Sequence, residues 1–182
     1  MKKQLFALAV LTAVGITPAV YAAAGDGTIN FKGAVTGQTC TIGVNGGGAS
    51  PSVALPDVSG SNFTSVGVTQ GATNIDFALT NCVGTAVKAS VYFGAGTGIN
   101  PDGTIANSAT GATAAKNVAL QIIDGNSRPV IIGSSTQTTS PVTAPIVSGA
   151  ATLKYAVQYI ATTVPVVPGT VSGAVTYSIN YL

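Results

Sequence analysis

The chain has 182 residues, of which only 7% are charged, and it contains no histidine. Without histidine, Ser-His-Asp and Cys-His catalytic arrangements and His-based metal sites have no material. Seven lysines and arginines stand against five acidic groups, and Arg128 is the sole arginine. No basic stripe exists, which argues against nucleic acid as a partner.

Residues 1–22 read as a secretory leader. Lys2 and Lys3 form a basic start, Leu5 to Ile16 is an uncharged and mostly apolar run, and Val20-Tyr21-Ala22 supplies small residues for cleavage. A cut after Ala22, or alternatively after Ala24, leaves five cationic side chains against five aspartates. The apolar run is about a dozen residues, short of the ~20 that a membrane-spanning helix needs.

Residues 23–36 alternate with period two: Gly27, Ile29, Phe31, Gly33 and Val35 point one way, and Thr28, Asn30, Lys32 and Ala34 the other. Periodicity allows two readings of this segment. It is either an edge strand of its own domain or an arm that adds a strand to the sheet of another molecule.

Residues 37–182 read as one all-β domain. Alternation recurs at Ile75, Phe77 and Leu79; at Val87, Ala89, Val91 and Phe93; at Val118, Leu120 and Ile122; and at Leu153, Tyr155, Val157 and Tyr159. Residues 94–116 and 134–140 are loops by composition, the first with room for a short strand. From Val171, the residues Val171, Gly173, Val175, Tyr177, Ile179 and Tyr181 share one face, which predicts a long strand running to the final residues. Termini usually fray, so such a strand must be held by something.

Cys40 and Cys82 are the only cysteines. In an exported chain they read as a disulfide, and closing that loop stabilises the fold by roughly 4 kcal/mol in the loop-entropy model. The five aspartates, Asp26, Asp57, Asp76, Asp102 and Asp124, are scattered through turns and strand faces, where such residues ordinarily serve turns. The residues thus give no catalytic, cofactor or metal site.

Taken together, several segments resemble chaperone–usher pilins of the type 1 and type 3 fimbrial kind. They are Gly27-Thr28-Ile29-Asn30-Phe31-Lys32-Gly33-Ala34-Val35 followed by Cys40, the strand Ile75–Asn81 before Cys82, Leu153-Lys154-Tyr155, Tyr159-Ile160-Ala161-Thr162, and a C-terminus with Gly169 fourteenth from the end and Tyr181 penultimate. The resemblance implies an incomplete immunoglobulin-like β-sandwich completed by a donor strand from another subunit. It makes Gly27, Ile29, Phe31 and Gly33 the donor positions. Gly169, Val171, Gly173, Val175, Tyr177, Ile179, Tyr181 and Leu182 become the strand that lines the groove and meets the chaperone, and Cys40–Cys82 becomes the family's bridge.

The implied partners are identical or related subunits, a periplasmic chaperone and an outer-membrane usher. The implied place is the cell-surface fimbria, reached through the periplasm, and the implied role is adhesion and biofilm formation without cofactor or catalysis. Two other readings are a self-complete secreted sandwich that binds carbohydrate and a minor or adaptor pilin.

Overall fold

Period-two alternation between apolar and polar residues becomes two packed antiparallel sheets in the computed structural model, which describes residue 37 and residues 39–182. The expectations for residues 1–22 and 23–36, including Gly27, Ile29, Phe31 and Gly33, lie outside the described residues. The strands are β1 (Thr39–Val44), β2 (Thr69–Val83), β3 (Lys88–Gly94), β4 (Ile105–Ala106), β5 (Val118–Asp124), β6 (Thr143–Pro145), β7 (Ala151–Ala161) and β8 (Thr176–Tyr181). One sheet has the order β1-β2-β7-β5-β4 and the other β6-β3-β8, with every ladder antiparallel.

The core lies between the sheets and is built by the alternation itself. Leu79, Phe77, Ala89, Val91, Phe93, Ile122, Leu153, Tyr155 and Val157 are buried, while Lys88 and Lys154 on the opposite faces are exposed. At its centre the Phe77 ring meets Phe93, Tyr155 and Tyr177 edge-on, with ring centroids 6.1, 5.8 and 4.8 Å away. Such pairs contribute about 0.5–1.5 kcal/mol each beyond the area they bury.

The disulfide Cys40–Cys82 joins β1 to β2 with Cα atoms 4.1 Å apart. The ladder slips by one residue there, between Thr39↔Val83 and Thr41↔Thr80, and Asn81 in that slip has φ 51°. Asparagine tolerates this left-handed backbone, and the extra residue re-aims the strand as a bulge does.

Three local features differ from the alternation. Val87 is exposed, because the inward set of β3 begins only at Ala89, and Ser90 on the supposed outer face is almost fully buried. The loop 94–116 does hold the short strand β4, and it also sends Ile105, Ala114 and Ala115 into the core. Within 134–140, residues Thr136–Thr139 form the helical turn α1. Its Gln137 accepts from Phe93 N–H at 2.9 Å and donates to the Phe93 carbonyl at 3.0 Å, so a side chain continues the pairing of β3 where no strand does.

The long terminal strand expected from Val171 to Tyr181 is corrected by the structure. Only Thr176–Tyr181 pairs, with β3; residues 171–175 join neither ladder. The cause is Asn107, whose amide donates to the carbonyls of Ala115 and Thr170 and whose oxygen accepts from Ser172 N–H at 2.9 Å. The backbone around Ser172 is thereby drawn to the neighbourhood of β4, in the other sheet, and Ser108 N–H donates to the Ser172 carbonyl. The segment 169–182 therefore crosses from one sheet to the other.

Candidate functional site

That crossing opens the side of the sandwich. β8 has β3 along one edge, and no described strand pairs with the other. Leu182 and Lys88 exchange both backbone hydrogen bonds, so alternation along the antiparallel ladder leaves the N–H and C=O groups of Tyr177, Ile179 and Tyr181 pointing to the open edge. The side chains of these three residues pack against the core. One edge thus offers backbone partners and apolar side chains together.

Beside this edge runs a cavity of about 1320 Å³. Its floor includes Phe77, Phe93, Ile105, Leu120, Ile122 and Val157, all members of the core. One wall is the chain from Val166 to Ile179, and the other is residues 49–58. In that second wall Val53, Leu55 and Val58 turn toward the core, while Ser52, Ala54, Pro56 and Asp57 are exposed. This is strand-like alternation without a ladder. The walls touch where Tyr177 OH donates to the Ala49 carbonyl at 2.7 Å.

The structure brings most of the expected groove residues together. Gly169, Val171, Gly173, Val175, Tyr177 and Ile179 all line the cavity, whereas Tyr181 and Leu182 lie beyond its lining. Gly169 is required by close approach: a Cβ there would fall 2.5 Å from Ala115 N. At Gly173 a Cβ would meet Ile105 Cγ2 at 2.9 Å and Leu120 Cδ1 at 3.1 Å. Burial pushes the phenols of Tyr177 and Tyr181 above their ordinary value.

Sequence reading missed the second wall and Asn107. The Val53-Ala54-Leu55 alternation was a legible signal for the wall. Asn107, in a polar loop, carried none. Among the described residues no group of three or more His, Cys, Asp or Glu side chains gathers to hold a metal. What this site presents chemically is a row of backbone donors and acceptors, unpaired by any described strand, beside an apolar groove.

A two-sheet antiparallel sandwich in which no described strand pairs the outer edge of β8, beside an apolar groove, defines the class of protein. The chain belongs to the fimbrial protein family, whose model matches residues 29–182, and it is a structural subunit of a fimbria. It is 36% identical to the major fimbrial subunit SMF-1 of Stenotrophomonas maltophilia (strain K279a) over 87% of this chain and 94% of that one. Its fold matches the crystal structure of an antigen and type I fimbria protein of Burkholderia pseudomallei, with TM-score 0.52 and 26% identity over 81% of this chain and 99% of that one. The P pilus rod subunit PapA shares the fold at TM-score 0.52, with 18% identity over 85% of this chain and all of the other.

Proposed function

We propose that this chain is a shaft subunit whose groove accepts residues 23–36 of the next subunit, so that the fimbria grows by donor-strand exchange. The supporting observation is the coincidence, on β8, of core-directed side chains with backbone groups that no described strand pairs. In this reading residues 1–22 are a cleaved signal peptide, 23–36 the donor segment and 37–182 the pilin domain. Ile29 and Phe31 fill the groove, and Gly27 and Gly33 sit where the backbones come close. Each large apolar side chain moved from water contributes about 1.5–3 kcal/mol, and the main-chain ladder adds to it.

An empty groove is an unpaired apolar edge of the kind that aggregates. A periplasmic chaperone therefore fills it during export, gripping Tyr181 and Leu182, and an outer-membrane usher passes the subunit to the surface. The assembled fimbria serves adhesion and biofilm formation, and no step is enzymatic.

Deleting residues 24–36 in cells that make the fimbria tests this reading, with electron microscopy of the surface as the readout. Filaments should vanish while the chaperone-bound subunit still accumulates in the periplasm. Filaments of normal length would end the proposal.

A further inference from the structure

The sandwich has two ends, and each exposes valines. At the disulfide end, Val83 closes β2, Val87 opens the path to β3, and Val147 sits in the β6–β7 turn, with 61, 64 and 65% of their surfaces exposed. At the other end, Val66 precedes β2, and Val164 and Val167 follow β7; Val66 is 61% exposed. At roughly 3.3 Å per residue, the length of β2 puts these ends roughly 45 Å apart. Val164 and Val167 are 38 and 43% exposed, and Val167 also borders the groove.

The strand directions say what meets these clusters. Thr39 pairs with Val83, so β1 begins at the disulfide end. β8 begins opposite Gly94 and finishes opposite Ala89, beside Val87, and so runs toward the disulfide end. A donor segment lying parallel to β8 would have its root at the acceptor's disulfide end. Two disulfide ends would then face each other, each beside the other's arm, and the pair would close by reciprocal exchange. An antiparallel donor has its root at the opposite end, which leaves the acceptor's own arm free and gives an open, heterologous chain. A subunit of a fimbria requires the open arrangement.

The link between donor segment and domain is short. From Val35 to Thr39 it spans at most roughly 14 Å. The donor's body is therefore held against the end of the acceptor where the segment emerges.

Resting on the donor-strand reading, we infer that successive subunits meet through a second, purely apolar contact: Val83, Val87 and Val147 of one subunit pack on Val66, Val164 and Val167 of the next. The partner on each cluster is another copy of this chain, and the contact fixes the angle at which subunits stack.

Cross-linking tests this directly, because both native cysteines are committed to the disulfide. Intact filaments of chains carrying Val147→Cys with Val66→Cys, and separately Val87→Cys with Val164→Cys, are treated with a short bismaleimide. The double variants should give a ladder of covalent dimers, trimers and longer species, and each single variant should stay monomeric. Absence of a ladder from both pairs, or dimers from Val147→Cys alone, overturns the inference. A second measurement separates it from the groove: a peptide of residues 23–36 is titrated onto the chaperone-held chain lacking that segment, with and without Val147→Asp, and displacement of the chaperone is read. Distant sites couple weakly, so peptide affinity should stay within about twofold while filaments of full-length Val147→Asp shorten. Peptide that fails to bind even without the substitution defeats the groove reading itself; peptide that binds beside unshortened filaments defeats only the end-to-end contact.

Discussion

The hydroxyl of Tyr177 reaches across the groove to the carbonyl of Ala49, 128 positions earlier in the chain, at 2.7 Å. It ties β8 to a segment that belongs to no ladder, and the Tyr177 ring simultaneously rests on Phe77. Replacing Tyr177 with Phe keeps the ring and removes the tie. The expected loss is about 0.5–1.5 kcal/mol, read as a lower urea midpoint of the purified subunit. Tyr177→Ala should cost about 3–5 kcal/mol because the aromatic cluster loses a member. Equal effects from the two substitutions would mean that the ring contributes nothing.

Gly169 tests the crossing between sheets. Its added Cβ would meet the backbone at residues 113–115, which cannot swing aside as a side-chain tip can. Gly169→Ala should destabilise by about 1–3 kcal/mol through overpacking and weaken binding of a 23–36 peptide. Hydrogen exchange at Ser172, whose N–H is held by Asn107, reads the local loosening. Unchanged exchange there would contradict the account.

The disulfide has a distinct signature. Replacing Cys40 and Cys82 with Ser opens a loop across 42 positions and should remove roughly 4 kcal/mol in the loop-entropy model. The effect should appear as a lower thermal midpoint with the β-type circular dichroism kept at low temperature. A loss below about 1 kcal/mol would show that the bulge at Asn81 positions the strands without the bond, an outcome at the low end of what bridges contribute.

Asp124 sets an acid limit. Burial by itself would raise its pKa, but donation from the Arg128 and Asn126 N–H groups and from the Arg128 guanidinium outweighs that and holds it below the ordinary 3.8. A depressed folded-state pKa gives stability that is complete above 3.8 and lost as pH falls through the lower folded value. Wild type should therefore lose stability below about pH 4, and Asp124→Asn should flatten that part of the urea-midpoint profile. Because the Arg128 side chain is largely exposed, Arg128→Gln should cost little, within the 0–1 kcal/mol typical of surface pairs.

Tyrosine burial sets the alkaline limit. Tyr155, Tyr159, Tyr177 and Tyr181 are all pushed above 10.0, each chiefly by burial. A raised folded-state pKa means stability present below 10.0 and lost as pH rises past it. Absorbance at the phenolate band should therefore appear later than in the urea-unfolded chain, and coincident titrations would remove this claim.

Sequence alone carried what depends on near neighbours in the chain. Alternation placed the inward residues of β3, β5 and β7, because a strand turns successive side chains to opposite faces whatever surrounds it. Composition excluded histidine chemistry, and the cysteine count allowed one bridge. What only the tertiary structure decided is where alternation stops meaning pairing. Residues 171–175 alternate as cleanly as 176–181, yet Asn107, 65 positions before Ser172, takes the Ser172 N–H and Ser108 takes its carbonyl, which draws the segment across to the other sheet. Residues 49–58 alternate without a ladder for a related reason: hydrogen-bond partners belong to whichever chain lies alongside, and periodicity reports only which way a side chain faces.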